Sequence, residues 1–380
     1  MEPIRILQEV TSMNTGGVET LLMNIYRNID REKIQFDFMM HREVGTGFYE
    51  DEIKRLGGKI YGGIPFNPLN HRKYLNSIDD FFEKHPEYSI IHAHNAFSMF
   101  TLRSAEKHGV RVRIAHSHNT APKLLHYKTP FKLYAKSKVK KYATDLFACS
   151  KLAGEYYYGK KAVNNNQVII MKNGIDTEKF DFDEEIRRKK REELKIKDQI
   201  AIVHVGRFNI QKNHEYLIDI FNELLKISKR YKLFLFGEGD LEASIRKKVE
   251  KLGLQNNVEF MGVKGNINEY LQAMDIFILP SLFEGLPLTG IEAQTNGLPC
   301  LFSSTITKEV AVTELAEFIS IKEDPKIWAN KIIETTEKNM KRCGKKEKVD
   351  SEGYNIKDTV KKLEEFYIKK YNEGENYAKS

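Results

Sequence analysis

Cysteine is nearly missing from this chain of 380 residues: Cys149, Cys300 and Cys343 stand far apart and form no CxxC pair. So sparse and odd a set excludes a disulfide framework and a cysteine-built zinc site, and it suits a reducing compartment. Cys149 and Cys300 read as small buried hydrophobes. Long apolar runs are also missing, since none approaches the roughly 18 to 20 uncharged residues that a bilayer-crossing helix needs. The first residues, MEPIRILQEV, lack the basic head, apolar stretch and small-residue cleavage site of a secretory leader, so the expected location is cytoplasmic. No repeat of solenoid period and no low-complexity tract occurs. What remains is a globular composition, 41% hydrophobic and 30% charged, at a length suited to two domains.

Charge is present but uneven. The net charge is +8, yet residues 1–102 carry 11 Lys or Arg against 14 Asp or Glu, and residues 179–380 carry 35 against 34. The excess lies in residues 103–161, with 14 against 3, which points to one basic surface rather than a basic protein. No nucleic-acid motif accompanies it, so nucleic acid is not an expected partner.

Short apolar runs alternate with helix-length segments from end to end. In the first half the strands are expected at 4–10, 34–40, 89–93, 110–115, 145–149 and 168–171. In the second they fall at 200–205, 233–236, 258–261, 276–279 and 300–302. Helical spacing separates them, as in Val18, Leu21, Leu22, Ile25 and Ile29, or Leu217, Phe221, Leu224 and Leu225. Such alternation implies α/β architecture: two parallel, doubly wound, Rossmann-like sheets wrapped by helices. The charged stretch 181–197 is taken as a linker leading into a solvated helix, placing one domain at 1–180 and a second at 181–353. The segment 354–380 is then a final helix over about 355–371 with a tail that frays from Asn372.

Ligands of open parallel sheets bind at the carboxyl ends of the strands. After the first strand comes Asn14-Thr15-Gly16-Gly17-Val18-Glu19, a glycine pair opening a helix whose free N–H groups suit an anion. After the strand at 200–205, Arg207 and Lys212 bracket a short loop, with Asn213 placed to cap the next helix. Two cations there can neutralise a diphosphate without a metal ion. The stretch DIFILPSLFEGLPLTGIEAQTNGLP runs from a buried strand through Glu284 into a helix bearing Glu292. Two carboxylates eight residues apart suit paired hydrogen bonds to sugar hydroxyls, while the N–H groups of Leu288 and Thr289 suit phosphate. Two His-x-His pairs, His92/His94 and His116/His118, end strands of the first half. With no cysteine or aspartate ligand nearby they read as crevice-lining groups rather than metal ligands, the plainer alternative being histidines with no ligand at all.

Together these segments resemble the GT-B retaining glycosyltransferases, particularly those of bacterial capsule and exopolysaccharide synthesis. The resemblance rests on VGRFNIQKNH, FGEGDL, the E-x7-E stretch EGLPLTGIE and the following GLP. In the first half it rests on TGGVE, IIHAHN, AHSHN and FACSK, with KNGID at the hinge. It implies a fold of two Rossmann-like domains with a cleft between them, the last helix packing back toward the first domain. It also implies a nucleotide diphosphate sugar as co-substrate, a UDP-sugar above all, with no other cofactor and no metal. By motif, Arg207 and Lys212 would bind the donor diphosphate, Glu292 the ribose, and Glu284 with the Gly285–Leu286 backbone the donor sugar. Leu288 and Thr289 would offer N–H groups to phosphate, Gly16 and Gly17 would let the backbone approach the diphosphate, and His118 would contact the transferred sugar. The chain departs from the family after GLP, where Cys300-Leu-Phe-Ser-Ser-Thr replaces the small residue and glycines of many members. The resemblance implies a hexosyl- or N-acetylhexosaminyl-transferase, with a saccharide or polyprenyl-diphosphate-linked saccharide as acceptor.

Residues 122–141, PKLLHYKTPFKLYAKSKVKK, interleave seven lysines with leucine and aromatics. Basic amphipathic segments of this kind dock on anionic membranes, so peripheral association with the inner face of the cell membrane is expected. The alternative enzyme is a nucleotide-sugar epimerase of the same fold.

Overall fold

The computed structural model describes residues 2–14, 16–45, 47–118, 129–338 and 341–379, with backbone alone at 70 and 375–379. It forms two compact units: Met1–Ile175 with Tyr354–Ser380, and Asp176–Gly353.

In the first unit, seven strands pair in parallel: β1 (Ile4–Val10), β2 (Ile34–Met40), β3 (Ile60–Tyr61), β4 (Ile90–Ala93), β5 (Val112–Ser117), β6 (Asp145–Ala148) and β7 (Val168–Ile170), in the order β3-β2-β1-β4-β5-β6-β7. Successive side chains point to opposite faces, so both faces are buried. Ile6, Phe36, Phe38, Ile90, Ile114 and Phe147 pack under Leu21, Leu22, Ile25 and Tyr26 of the helix Gly17–Asn28, joined by Val360, Leu363 and Tyr367 of the final helix. Leu7, Met39, Ile91 and Ala115 meet Tyr74, Ile78, Phe82 and Leu102 on the other side.

The second unit carries six parallel strands: β8 (Ile200–Val205), β9 (Tyr231–Phe236), β10 (Val258–Gly262), β11 (Ile276–Leu279), β12 (Cys300–Ser303) and β13 (Ala316–Ile319), in the order β10-β9-β8-β11-β12-β13. On one face Ile202, Leu233, Leu235 and Ile278 pack against Leu217, Phe221, Leu224 and Trp328. Strand order reverses about β1/β4 and about β8/β11, and at such switch points loops leave to opposite faces and open a crevice at the carboxyl edge.

Several local expectations need correction. Strand β5 begins and ends two residues later than its apolar run, because pairing with β4 and β6 sets its register. The edge strands β3 and β13 escaped notice: one is two residues long, and the other, AEFI, is no more than half-buried. The charged stretch 181–197 is no linker. Its helix Glu184–Glu193 is anchored in the second unit, with Arg187 and Arg191 binding Asp275 at 2.5 and 3.0 Å and donating to carbonyls of 272–274. The tail does not fray from Asn372, since the final helix runs Ile356–Lys379. Of the basic segment, 122–128 lies outside the described residues, and the remainder belongs to the helix Thr129–Tyr142.

Candidate active site

In the second unit the loops after β8 and β11 meet. Phe208 donates its N–H to Glu238 O (3.0 Å), which seats the start of the first loop on the loop after β9. Asn209 then accepts the Lys212 N–H (3.1 Å) and closes the short 3-10 turn Ile210–Lys212. Asn213 follows in the left-handed conformation (φ 56°, ψ 45°) and begins the helix His214–Ile227. Its side chain does not cap that helix as expected; it donates to Pro280 O (3.1 Å) and ties the turn to the end of β11. The Leu282 N–H reaches Gln211 O at 2.8 Å, a second tie between the loops.

These ties bring Lys212 and Glu284 together. Lys212 Nζ lies 2.7 Å from Glu284 Oε1, with side chains only 16% and 8% exposed. Gln211 Nε2 donates to Glu284 Oε2 and to Phe283 O, both at 3.0 Å. One carboxylate is thus gripped by a cation on one oxygen and an amide on the other. Gln211 is a site residue that the motif contained but spacing did not single out. The Lys212 stem crosses Gly206 so closely that a Cβ there would sit 2.9 Å from its Cδ and Cε. Arg207 is exposed on the same loop.

Beneath this loop two histidines are buried and pushed well below the usual range. Burial and the neighbouring His214 lower His204, while burial and the Lys212 charge take His214 to about 3. Neutral rings beside Lys212 leave the ammonium as the local cation. Beyond Glu284, Gly285, Leu286 and Pro287 lead into the helix Leu288–Thr295, whose start, including Leu288 and Thr289, has no side-chain cap and no acidic residue in its first turn. Glu292 is buried on that helix, 7% exposed, and desolvation, opposed in part by the Lys179 charge, raises its carboxyl to about 7. Among the described residues no hydrogen bond or ion pair engages that carboxyl. A buried acid without a partner marks a place where a ligand's hydroxyls fit.

In the first unit, Gly16 precedes the helix Gly17–Asn28 and supplies no side-chain cap. His118 follows β5 directly and lies inside a buried group: His94 Nδ1 and His118 Nε2 lie 2.9 Å apart, and His92 Nε2 and His116 Nδ1 lie 3.1 Å apart. Gln8 and Tyr367, both fully buried and neither evident from motif spacing, complete the cluster through His94 and His92. Burial lowers all four imidazoles, His118 to about 3, so they are neutral at pH 7. Nitrogens of His92, His94 and His116 lie within 4.8 Å of one another, the spacing of a cation site, but both nitrogens of His92 and of His94 are already engaged in hydrogen bonds. On the opposite face of β1, buried Glu9 pairs with His41 and accepts from Asn95, Ser98 and Thr101, a set that sequence reading passed over.

Comparison with known proteins follows this geometry. Residues 185–355 match the family described as Glycosyl transferases group 1, and residues 15–179 match Glycosyltransferase Family 4. The protein EpsF of Bacillus subtilis, whose name assigns it provisionally to the glycosyltransferases, is 33% identical over 96% of each chain. The chain belongs to the GT-B glycosyltransferases. This glycosyltransferase also shares 29% identity with an Escherichia coli enzyme over 54% of its own chain and 55% of that one. The enzyme is named UDP-Gal:alpha-D-GlcNAc-diphosphoundecaprenol alpha-1,3-galactosyltransferase. The fold of this chain matches that of Anabaena HepE, crystallised with UDP and glucose, at a TM-score of 0.79 and 17% identity, covering 96% of this chain and 100% of that one. The relatives support a glycosyltransferase of polysaccharide synthesis and lend nothing to the epimerase alternative. Among the described residues no helix is long and apolar enough to cross a membrane.

Proposed function

We propose that this glycosyltransferase moves a hexose or N-acetylhexosamine from a nucleotide diphosphate sugar, a UDP-sugar above all, with retention at the anomeric carbon and without a metal ion. The acceptor is a saccharide or a polyprenyl-diphosphate-linked saccharide of surface polysaccharide synthesis. The observation that carries the reading is the Lys212–Glu284 pair, held at 2.7 Å at the carboxyl edge of the second sheet on the loop that bears Arg207.

Breaking a glycosyl–phosphate bond builds positive charge on the sugar ring and negative charge on the departing diphosphate. Lys212 and Arg207 stabilise that anion where it forms, with the uncapped N–H groups of Leu288 and Thr289 beside them. Glu284, fixed by Lys212 and Gln211, takes sugar hydroxyls together with the Gly285 and Leu286 backbone. Glu292 ionises to accept the ribose hydroxyls. Gly16 and Gly17 admit the diphosphate to the backbone, and His118 contacts the transferred sugar. The acceptor hydroxyl attacks the anomeric carbon from the face the diphosphate leaves, and its proton passes to the departing phosphate oxygen. The UDP complex of HepE supports the donor class, and the name of the E. coli galactosyltransferase supports a diphosphate-linked lipid acceptor.

A groove of about 330 Å³ in the first unit, lined by Phe66, Leu75, Phe100, Pro130, Phe131 and Tyr134, fits such a carrier. Exposed Leu133, Lys138, Lys140 and Lys141 on the same helix suit an anionic membrane.

The test is release of nucleotide diphosphate from a panel of nucleotide sugars with lipid-linked acceptor, in chelator, with the anomeric product read by NMR. Lys212→Ala and Glu284→Ala should each lower kcat by about 100-fold or more while the melting curve persists. Near-normal turnover in both would refute the site, and an inverted product would refute retention. Flotation on phosphatidylglycerol vesicles should capture the enzyme, and charge reversal at Lys138, Lys140 and Lys141 should release it. Binding that ignores the reversal would remove the membrane face.

A further inference from the structure

The segment by which the chain leaves its first unit is clamped by the segment by which it returns. Ile175 donates its N–H to Tyr354 O at 2.8 Å, and Ile356 donates to Ile175 O at 2.9 Å. Thr359, on the returning helix, donates its hydroxyl to Lys172 O at 3.3 Å. Backbone and helix approach so closely at Gly174 that a Cβ there would lie 2.6 Å from Thr359 Oγ1 and 2.8 Å from Ile356 Cα. Asn173 sits inside this clamp, 6% exposed, and its Oδ1 is buried with no hydrogen-bond partner among the described residues. His116, 7% exposed, lines the same small cavity, and its Nε2 is unmet as well. Two buried polar atoms without partners are costly, so each calls for a complement.

Which role the His116 nitrogen plays follows from its neighbours. Gln8 Oε1 accepts from His94 Nε2 at 2.9 Å, and Gln8 Nε2 donates to the Tyr367 hydroxyl at 3.3 Å. The Tyr367 hydrogen then goes to His92 Nδ1 at 2.6 Å, and His92 Nε2 donates to His116 Nδ1 at 3.1 Å. A neutral imidazole whose Nδ1 accepts carries its proton on Nε2. His116 therefore presents an N–H to the cavity, and Asn173 presents a carbonyl oxygen. The cavity measures about 10 Å³, room for one water, and Leu21, Leu22, Met171 and Leu363 supply its apolar wall. Its other polar side chains are spent. Both nitrogens of His92 and of His94 are hydrogen-bonded, the Thr359 hydroxyl serves Lys172 O and Asn355 O, and the Lys172 ammonium lies over the Tyr354 ring.

We infer that this cavity binds a single water molecule, which accepts the His116 Nε2 proton and donates to Asn173 Oδ1, and that Asn173 is thereby a positioning residue for the histidine cluster. The hydrogen-bond chain Tyr367–His92–His116–water–Asn173 then begins on the returning helix and ends on the leaving segment. Both crossings of the chain hold one array. A metal ion does not fit, because His116 presents a proton there, and a carboxylate or phosphate is too large. The His116 ring stacks on that of His118 at 4.1 Å, so the array also backs the ring proposed to meet the sugar. That consequence rests on the proposed function, whereas the water site does not.

In the full chain labelled with ¹⁵N-histidine, two-bond ¹H–¹⁵N spectra at pH 7 should show His116 neutral with its proton on Nε2, the signals being assigned by their loss in His116→Asn. That proton should give a cross-relaxation peak to a water of long residence. Asn173→Leu keeps the volume but offers no polar side-chain atom. There the water peak should vanish, and the Ile175 amide should exchange with solvent about 10-fold faster. Asn173→Asp keeps an acceptor, and the water peak should remain. A His116 proton on Nδ1, no water peak in the wild type, a water peak that survives Asn173→Leu, an unchanged Ile175 amide, or one bound zinc per chain by metal analysis would each overturn the inference. Should Asn173→Leu fail to fold, the wild-type tautomer and water peak still decide it. With the donor identified in the nucleotide-sugar panel, Asn173→Leu should lower kcat about 10-fold, and Asn173→Asp should restore most of that loss. Equal losses in the two would overturn the positioning role. Absence of turnover with every nucleotide sugar would instead refute the proposed function, leaving the water site to stand or fall by its spectra.

Discussion

Glu292 shows what a single buried carboxyl costs a fold awaiting its ligand. Desolvation raises it from 4.5 to about 7, so the fold favours the neutral acid. Its stabilising effect is complete below pH 4.5 and is lost as pH rises toward 7. Glu292→Gln cannot ionise, so it should match the wild type near pH 4 and exceed it by about 3 kcal/mol at pH 8. Urea unfolding at the two pH values checks this; equal gains at both would mean the carboxyl is not desolvated. The same substitution should weaken nucleotide binding, because a neutral amide is a poorer acceptor for a diol than a carboxylate. Motif spacing pointed to Glu284, Glu292, Arg207 and Lys212. It passed over Gln211, Gln8 and Tyr367, whose place in hydrogen-bond networks depends on residues distant in the chain.

At the level of elements, the donor-side loop keeps its shape because backbone packs on backbone. Gly237 has φ +129°, and a Cβ there would lie 2.3 Å from Gly206 O, an atom at the head of the Arg207–Lys212 loop. Gly237→Ala would add strain and drive the loops after β8 and β9 apart, a loss of about 2 kcal/mol or more. Chemical denaturation should report that loss with a fall in Lys212-dependent turnover, whereas a neutral substitution would mean the loops can separate freely. Helix-length periodicity located the amphipathic helices well. Charge density rightly implied a helix within 181–197 but misread the stretch as a linker, because Arg187 and Arg191 bind Asp275 and helix-end carbonyls of the second unit.

Across the whole molecule, the chain leaves its first unit at Ile175 and re-enters it at Tyr354. The returning segment buries Tyr354, Ile356, Val360, Leu363 and Tyr367. At about 1.5 to 3 kcal/mol per large apolar side chain, their removal is comparable to the 5 to 15 kcal/mol that holds an ordinary domain together. A chain ending at Gly353 should therefore lose the cooperative unfolding of its first unit and bind a hydrophobic dye. Residues 176–353, continuous and with their own core, should melt cooperatively alone. Calorimetry of both truncations checks this, and an intact first-unit transition in the 353-residue chain would show the last helix to be dispensable.

What the sequence determined by itself is what depends on neighbours along the chain: strand–helix alternation, the glycine, lysine and glutamate motifs at strand ends, and hence two doubly wound sheets and a glycosyltransferase family. Tertiary structure alone decided which distant groups share a proton or a charge. His92 and Tyr367 are 275 residues apart, a separation that motif spacing could not join. Although the motifs assigned Lys212 and Glu284, 72 residues apart, to one donor, their direct pairing at 2.7 Å is a tertiary fact. Parallel strands are joined by long crossovers, so residues that meet at a carboxyl edge arrive from remote parts of the chain.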